Sequence, residues 1–165
     1  MRLEVNKIPH TKELTLKEVV VLDKEKYPSI FPLSDIESVD VIATAHKYED
    51  FVNLDLKIKA KVTLICSYSL KPFNTVLHAS DNLNFAFYED DAEDDILLLK
   101  GNILNLDEYI YDLVISAIPL KPIAPNAKKP ESGDGYRVIS SDEFEKEQKE
   151  NGNSKFDKLK DLDID

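Results

Sequence analysis

Residues 50–73, DFVNLDLKIKAKVTLICSYSLKPF, constrain the fold more than any other stretch of the chain. From Val52 to Cys66 every even position is apolar: Val52, Leu54, Leu56, Ile58, Ala60, Val62, Leu64 and Cys66. The odd positions are Asn53, Asp55, Lys57, Lys59, Lys61 and Thr63, and only then Ile65. Successive side chains of a strand point to opposite faces, so this alternation describes a strand with one buried face and one wet face. A slip of one residue would turn the whole apolar set to water, so the same pattern also sets the pairing register. A large antiparallel sheet is expected at the centre of the fold.

The neighbouring segments supply its other strands. Residues 2–8 alternate through Leu3 and Val5, and residues 13–22 hold Leu14, Leu16 and the run Val19-Val20-Val21-Leu22, whose β-branched content favours a strand over the alternative of a short helix. Residues 27–35, YPSIFPLSD, carry two prolines and no period, which predicts a loop. Alternation returns at Val39, Val41, Ala43 and Ala45, and Glu49-Asp50 then turns the chain into the long strand as a hairpin. Residues 73–79 and 83–88 read as a second hairpin joined by Ser80-Asp81-Asn82. An acidic loop, EDDAEDD, and a short strand over 96–99 follow.

Helical spacing appears only after Asn105, which is placed to cap a helix over 106–117. Leu106, Tyr109, Ile110, Leu113, Val114 and Ala117 form one apolar stripe, and Asp107 and Glu108 suit the positive end of the helix dipole. Pro119 ends the helix, whose stripe should cover the open face of the sheet. The expected fold is α+β: a single domain over 1–122 with an antiparallel sheet able to curl toward a barrel and one main packed helix. Residues 123–165 are expected to form an acidic linker and partly mobile tail. Within it, 136–139 can add an edge strand, and Ser140-x-x-Glu143 is a capping box for a polar helix. Phe156, Leu159 and Leu162 are spaced for a short docking helix.

Charge narrows the function classes. Residues 1–79 hold 11 basic and 11 acidic side chains, whereas 80–165 hold 10 and 21, so the second half carries the net charge of −11. An acidic half repels phosphate, so any nucleic-acid contact belongs to the first half, and the second suits a basic partner. One cysteine excludes an internal disulfide, and no Cys or His pairing has metal-ligand spacing, so neither metal nor cofactor is expected. No apolar run approaches the roughly 18 residues of a membrane span. The first ten residues lack a signal-peptide core, which makes the cytoplasm the expected compartment. Nineteen lysines against two arginines suggest an AT-rich bacterial genome.

Few residues invite chemistry. Cys66 lies in phase with the buried face and has no adjacent His to activate it, so it reads as a small core hydrophobe. His10, His46 and His78 are too widely spaced for a motif. The EDDAEDD run lacks the spaced ligand pattern of a calcium loop. Lys57, Lys59 and Lys61 present three positive charges along about 13 Å of strand, with Lys71 beyond the turn, as the best candidates for phosphate contact. The competing reading is a solvated, solubilising face. No aromatic residue interleaves these lysines, so base stacking is not expected. No assignable triad, phosphate loop or carboxylate pair points to an enzyme.

The segment CSYSLKPF, with Cys66, Leu70, Pro72 and Phe73, resembles the Cys-x-Arg-Cys-Leu-x-Pro-Phe turn of the YceD family, the large ribosomal RNA subunit accumulation proteins. The run NLDEYIYDLVISAIPLKP, with Leu106, Pro119 and Pro122, is similar to that family's acidic helix followed by Leu-Ala-Leu-Pro-x-x-Pro. SKFDKLKDL is similar to its closing segment. Where many relatives carry further cysteines that look like a zinc site, this chain has Ser69 and Ala124, so zinc is not carried over. The family Arg is Tyr68 here. The resemblance implies a non-enzymatic factor in ribosome biogenesis, with large-subunit rRNA or a precursor particle as partner. The alternative is an acidic adaptor that holds a basic ribosomal protein.

Overall fold

The computed structural model describes residues 1–10, 12–49, 51–88, 96–99 and 101–151. It divides into two compact units, Met1–Ala124 and Pro125–Asp165. The first unit holds strands β1 (Arg2–Glu4), β2 (Leu14–Val20), β3 (Leu33–Lys47), β4 (Phe51–Ile65), β5 (Pro72–Ala86), β6 (Ile96–Leu98) and β7 (Ile103–Asn105), with helix α1 (Asp107–Ser116). Five strands form one sheet in the order β2-β3-β4-β5-β6, and β1 pairs with β7 in a separate ribbon. The large sheet is antiparallel except where β6 runs parallel to β5. Among the described residues β2 and β6 lie at its two edges, so the sheet is open and not a closed barrel.

The long alternation of β4 folds as its pattern requires. Val52, Leu54, Leu56, Ile58, Ala60, Val62, Leu64 and Cys66 are all buried. β4 is the middle strand, fully paired on both sides, with Ile58 opposite Val41 on β3 and Ala79 on β5. Helix α1 covers the buried face with Ile110, Leu113 and Val114, and Phe85 meets Tyr109 edge-on at 5.5 Å between ring centres. Asn105 accepts the Asp107 N–H at 3.3 Å from just before the helix start. Leu106, fully buried, takes the cap position itself.

Three sequence expectations for the first unit are corrected. The first strand stops at Glu4, and Val5–Lys7 form a 3-10 turn that keeps Val5 buried. β3 begins at Leu33, inside the expected loop. Its register shifts between Leu33 and Asp35 and again between Ile36 and Ser38, so the buried positions there are Leu33, Ile36 and Val39. Such bulges insert an extra residue and erase the period of two. The expected hairpin at residues 80–82 is instead the middle of one continuous strand. Ser80, Asp81 and Asn82 pair with Lys57, Leu56 and Asp55, because β4 is long enough to offer backbone partners the whole way. Asn82 is held across the strands by Asn53 and Asp55 at 2.7 and 2.8 Å.

In the second unit the expected edge strand reduces to a single bridge between Gly133 and Tyr136. The Val138 N–H turns to the Ser132 hydroxyl at 3.0 Å instead of to a neighbouring strand. The capping box forms: the Ser140 N–H donates to Glu143 at 2.7 Å and the Glu143 N–H to the Ser140 hydroxyl at 3.2 Å, at the start of α2 (Ser141–Asn151). Lys129 also pairs with Glu143, and Arg137 with Glu147. The acidic run 89–95 and the apolar triplet Phe156, Leu159 and Leu162 lie outside the described residues.

Candidate nucleic-acid interface and the motif turn

The outer face of the large sheet carries the lysines. Lys57, Lys59 and Lys61 are all exposed, on the side of β4 opposite its buried set. Lys57 stands between Ile42 and Ser80, Lys59 between Asp40 and His78, and Lys61 between Ser38 and Val76. Ile42 in turn pairs with Lys17 on β2, which adds a fourth lysine two strands, about 10 Å, from Lys57. Sequence reasoning missed Lys17, since only the strand order puts it on this face. A shallow depression of about 460 Å3 lies between the strands and is lined by both Lys17 and Lys57. Among the described residues none of these four lysines forms an ion pair. Asp40 and Asp55 are acidic counterweights on the same face, and Glu13 lines the same depression.

Lys71 is not part of this column. It sits in the turn after β4, five residues along the chain from Val76, the partner of Lys61. That separation is about 17 Å of strand. Its carbonyl accepts the Cys66 N–H at 2.9 Å, and its N–H lies 3.4 Å from the Ser69 hydroxyl.

The turn itself brings together residues more than fifty apart. The Leu70 N–H closes it on the Cys66 carbonyl at 2.9 Å, and Leu70 takes a left-handed φ of 54° while its side chain stays exposed. Non-glycine residues seldom hold that conformation, so the surrounding hydrogen bonds must fix it. Pro72 then opens β5 opposite Ile65, with Phe73 opposite Leu64. The chain past α1 and Pro119 returns to the same turn: the Pro122 carbonyl accepts the Ser67 N–H at 2.8 Å, and the Ala124 N–H points to the Cys66 sulfur at 3.4 Å.

The Cys66 thiol is enclosed yet not inert electrostatically. The Ala124 N–H, then the Ser69 hydroxyl and the turn's own N–H groups, favour the thiolate and hold the thiol at about 7, while burial pushes the other way. Among the described residues no His activates it; the stabilising donors are backbone N–H groups and the Ser69 hydroxyl, which no side-chain motif reveals. Tetrahedral zinc takes four donors of nitrogen, sulfur or oxygen. Around Cys66 the chain offers a hydroxyl at Ser69 and a methyl at Ala124. Among the described residues no group of three His, Cys, Asp or Glu is placed to hold a metal ion. The residues do not fit zinc, and a hydrogen bond to sulfur joins the two segments.

No helix among the described residues is long and apolar enough to cross a membrane. Among curated proteins and among solved structures nothing matches the chain. A family model described as large ribosomal RNA subunit accumulation protein YceD matches residues 54–163, from within β4 through the motif turn and α1. That description ties the family to ribosome biogenesis. With two-thirds of its length matched, and with the Cys66 turn and the Pro119–Pro122 run in contact, the chain belongs to the YceD family of large ribosomal RNA subunit accumulation proteins.

Proposed function

We propose that the protein acts in large-subunit rRNA accumulation without catalysis of its own, holding rRNA or a precursor particle on the outer face of its sheet. The observation that supports this reading is the column Lys57, Lys59 and Lys61, with Lys17 beside it, on a face whose far side is packed core. A strand buried on its other side fixes the spacing of the charges before the RNA arrives, which reduces the ordering cost of binding. Each phosphate neutralised releases counterions, so affinity should fall with salt by a slope of about 0.7 to 0.9 per contact. The acidic half of the chain faces no such demand and keeps bulk RNA from binding everywhere. The cytoplasm, where ribosomes are assembled, is the compartment this role requires.

Isolation of the full-length protein from native cells, with RNase applied before elution, tests the reading. Large-subunit rRNA should co-purify and be released by the nuclease. A basic ribosomal protein that stays bound after RNase would favour the adaptor role instead.

A further inference from the structure

The hairpin between β3 and β4 ends in two aromatic residues, Tyr48 and Phe51, on either side of its turn. Their rings stack at 4.4 Å between centres and 21° between planes, and the Tyr48 N–H donates to the Phe51 carbonyl at 2.8 Å. Even so, Tyr48 is 49% and Phe51 38% exposed. Phe51 has the same strand parity as Lys57, Lys59 and Lys61, so aromatic pair and lysine column share the outer face. Beside the pair is a cavity of about 320 Å3 lined by His10, Lys12, Glu13, His46, Lys47 and Tyr48. Glu13 and His46, 3.7 Å apart, also line the depression that reaches Lys17 and Lys57. The two hollows are therefore neighbours along one surface, running from the aromatic tip to the lysines.

We propose that this tip is a stacking site for one unpaired base of a single-stranded RNA segment whose phosphates lie along Lys17 and Lys57. The inference rests on the rRNA-binding reading and adds to it the strandedness of the RNA and the place of a base. Aromatic rings next to a cationic groove are the means by which single strands are held, because every base has a π face to stack. A duplex keeps its base faces covered and gains nothing from the tip. Glu13 in the hollow beside the tip offers an acceptor to base amino groups, while Lys12 and Lys47 line the same hollow. The Lys47 ammonium lies 5.7 Å from the centre of the Phe87 ring. Alternation alone does not announce stacking, because the aromatics flank a turn instead of interleaving the lysines.

The chain contains no tryptophan, so Tyr48→Trp in the full-length protein places a single fluorescent reporter at the tip while keeping an aromatic face. Titration with single-stranded oligo(A) RNA should quench that fluorescence, and the same RNA in a duplex should not. A Tyr48→Ala/Phe51→Leu variant should bind the single strand about tenfold more weakly, within the range of one stacked base. Its binding to the duplex should not change. If single-stranded RNA binds through the lysines with the reporter unquenched, the stacking site is refuted and the lysine-face reading stands. If neither RNA form nor precursor particles bind the parent protein, the lysine-face reading fails and takes this inference with it. A reporter that responds to a basic ribosomal protein and not to RNA would make the tip a protein contact and overturn the proposal.

Discussion

The two faces of β4 are made of the same fifteen residues and do opposite work. Its inner face is a continuous apolar column from Val52 to Leu64, all buried beneath α1 and the flanking strands. Its outer face presents Asn53, Asp55 and three exposed lysines to water. Fold stability is therefore concentrated on one side and the proposed RNA contact on the other, and substitutions on the two sides should be separable in experiment.

The largest effect is expected on the inner face. Leu56 is 1% exposed at the middle of the sheet, and Leu56→Ala should destabilise the protein by about 2–5 kcal/mol through lost burial and a residual cavity. Chemical denaturation would measure it, and a change below about 1 kcal/mol would mean that the inner face is less tightly packed than described. Cys66, at the end of the same column, is smaller. Cys66→Ala should cost about 1–2 kcal/mol and leave rRNA association intact. Although its thiol is held at about 7, enclosure should make labelling of the native protein by a thiol reagent slow. Fast labelling at neutral pH would show that the motif turn opens.

Removing the second unit should matter less to the sheet. A chain ending at Lys129 retains the whole first unit, Met1–Ala124, and should melt cooperatively within a few degrees of the full protein. An insoluble or molten product would show that the sheet needs the later residues to complete its core. Within the second unit, Glu143 is held down at about 2 chiefly by the Lys129 side chain and then by the Ser140 N–H. Because the folded value is depressed, its support for α2 is full above the ordinary carboxylate value and is lost as pH falls toward about 2. Circular dichroism on the isolated second unit should show helicity fading over that window. Glu143→Gln should flatten the change.

How much of this could be read in advance depends on the range of the signal. The β4 strand was legible because its apolar period is carried by consecutive residues, and α1 because Leu106, Tyr109, Ile110, Leu113 and Val114 recur at helical spacing. The start of β3 was hidden because its bulges break the period that announces a strand. β5 was misread because Ser80-Asp81-Asn82 has the composition of a turn. In the fold Ser80 and Asn82 stand opposite Lys57 and Asp55 on the wet face, Asp81 accepts the Asn82 N–H, and the long partner β4 decides. Pairing of β1 with β7, and of the Cys66 turn with Pro122 and Ala124, joins residues far apart in the chain. Only the family resemblance hinted at the second of these. The lysine column was visible from alternation alone, whereas Lys17 and the Tyr48–Phe51 pair required the strand order and the hairpin.

The smallest expected effect on stability belongs to the outer face, and it carries the central claim. A Lys57/Lys59/Lys61→Gln variant should keep the parent's denaturation midpoint within about 0.5 kcal/mol, since exposed side chains away from the core contribute little. Its association with large-subunit rRNA precursor particles, measured by co-sedimentation across a range of salt, should be weaker. Its salt slope should be shallower by about one unit for each lysine that had met a phosphate. If the variant folds normally and co-sediments with the parent's affinity and the parent's salt slope, the lysine face is not the RNA contact and the account is wrong.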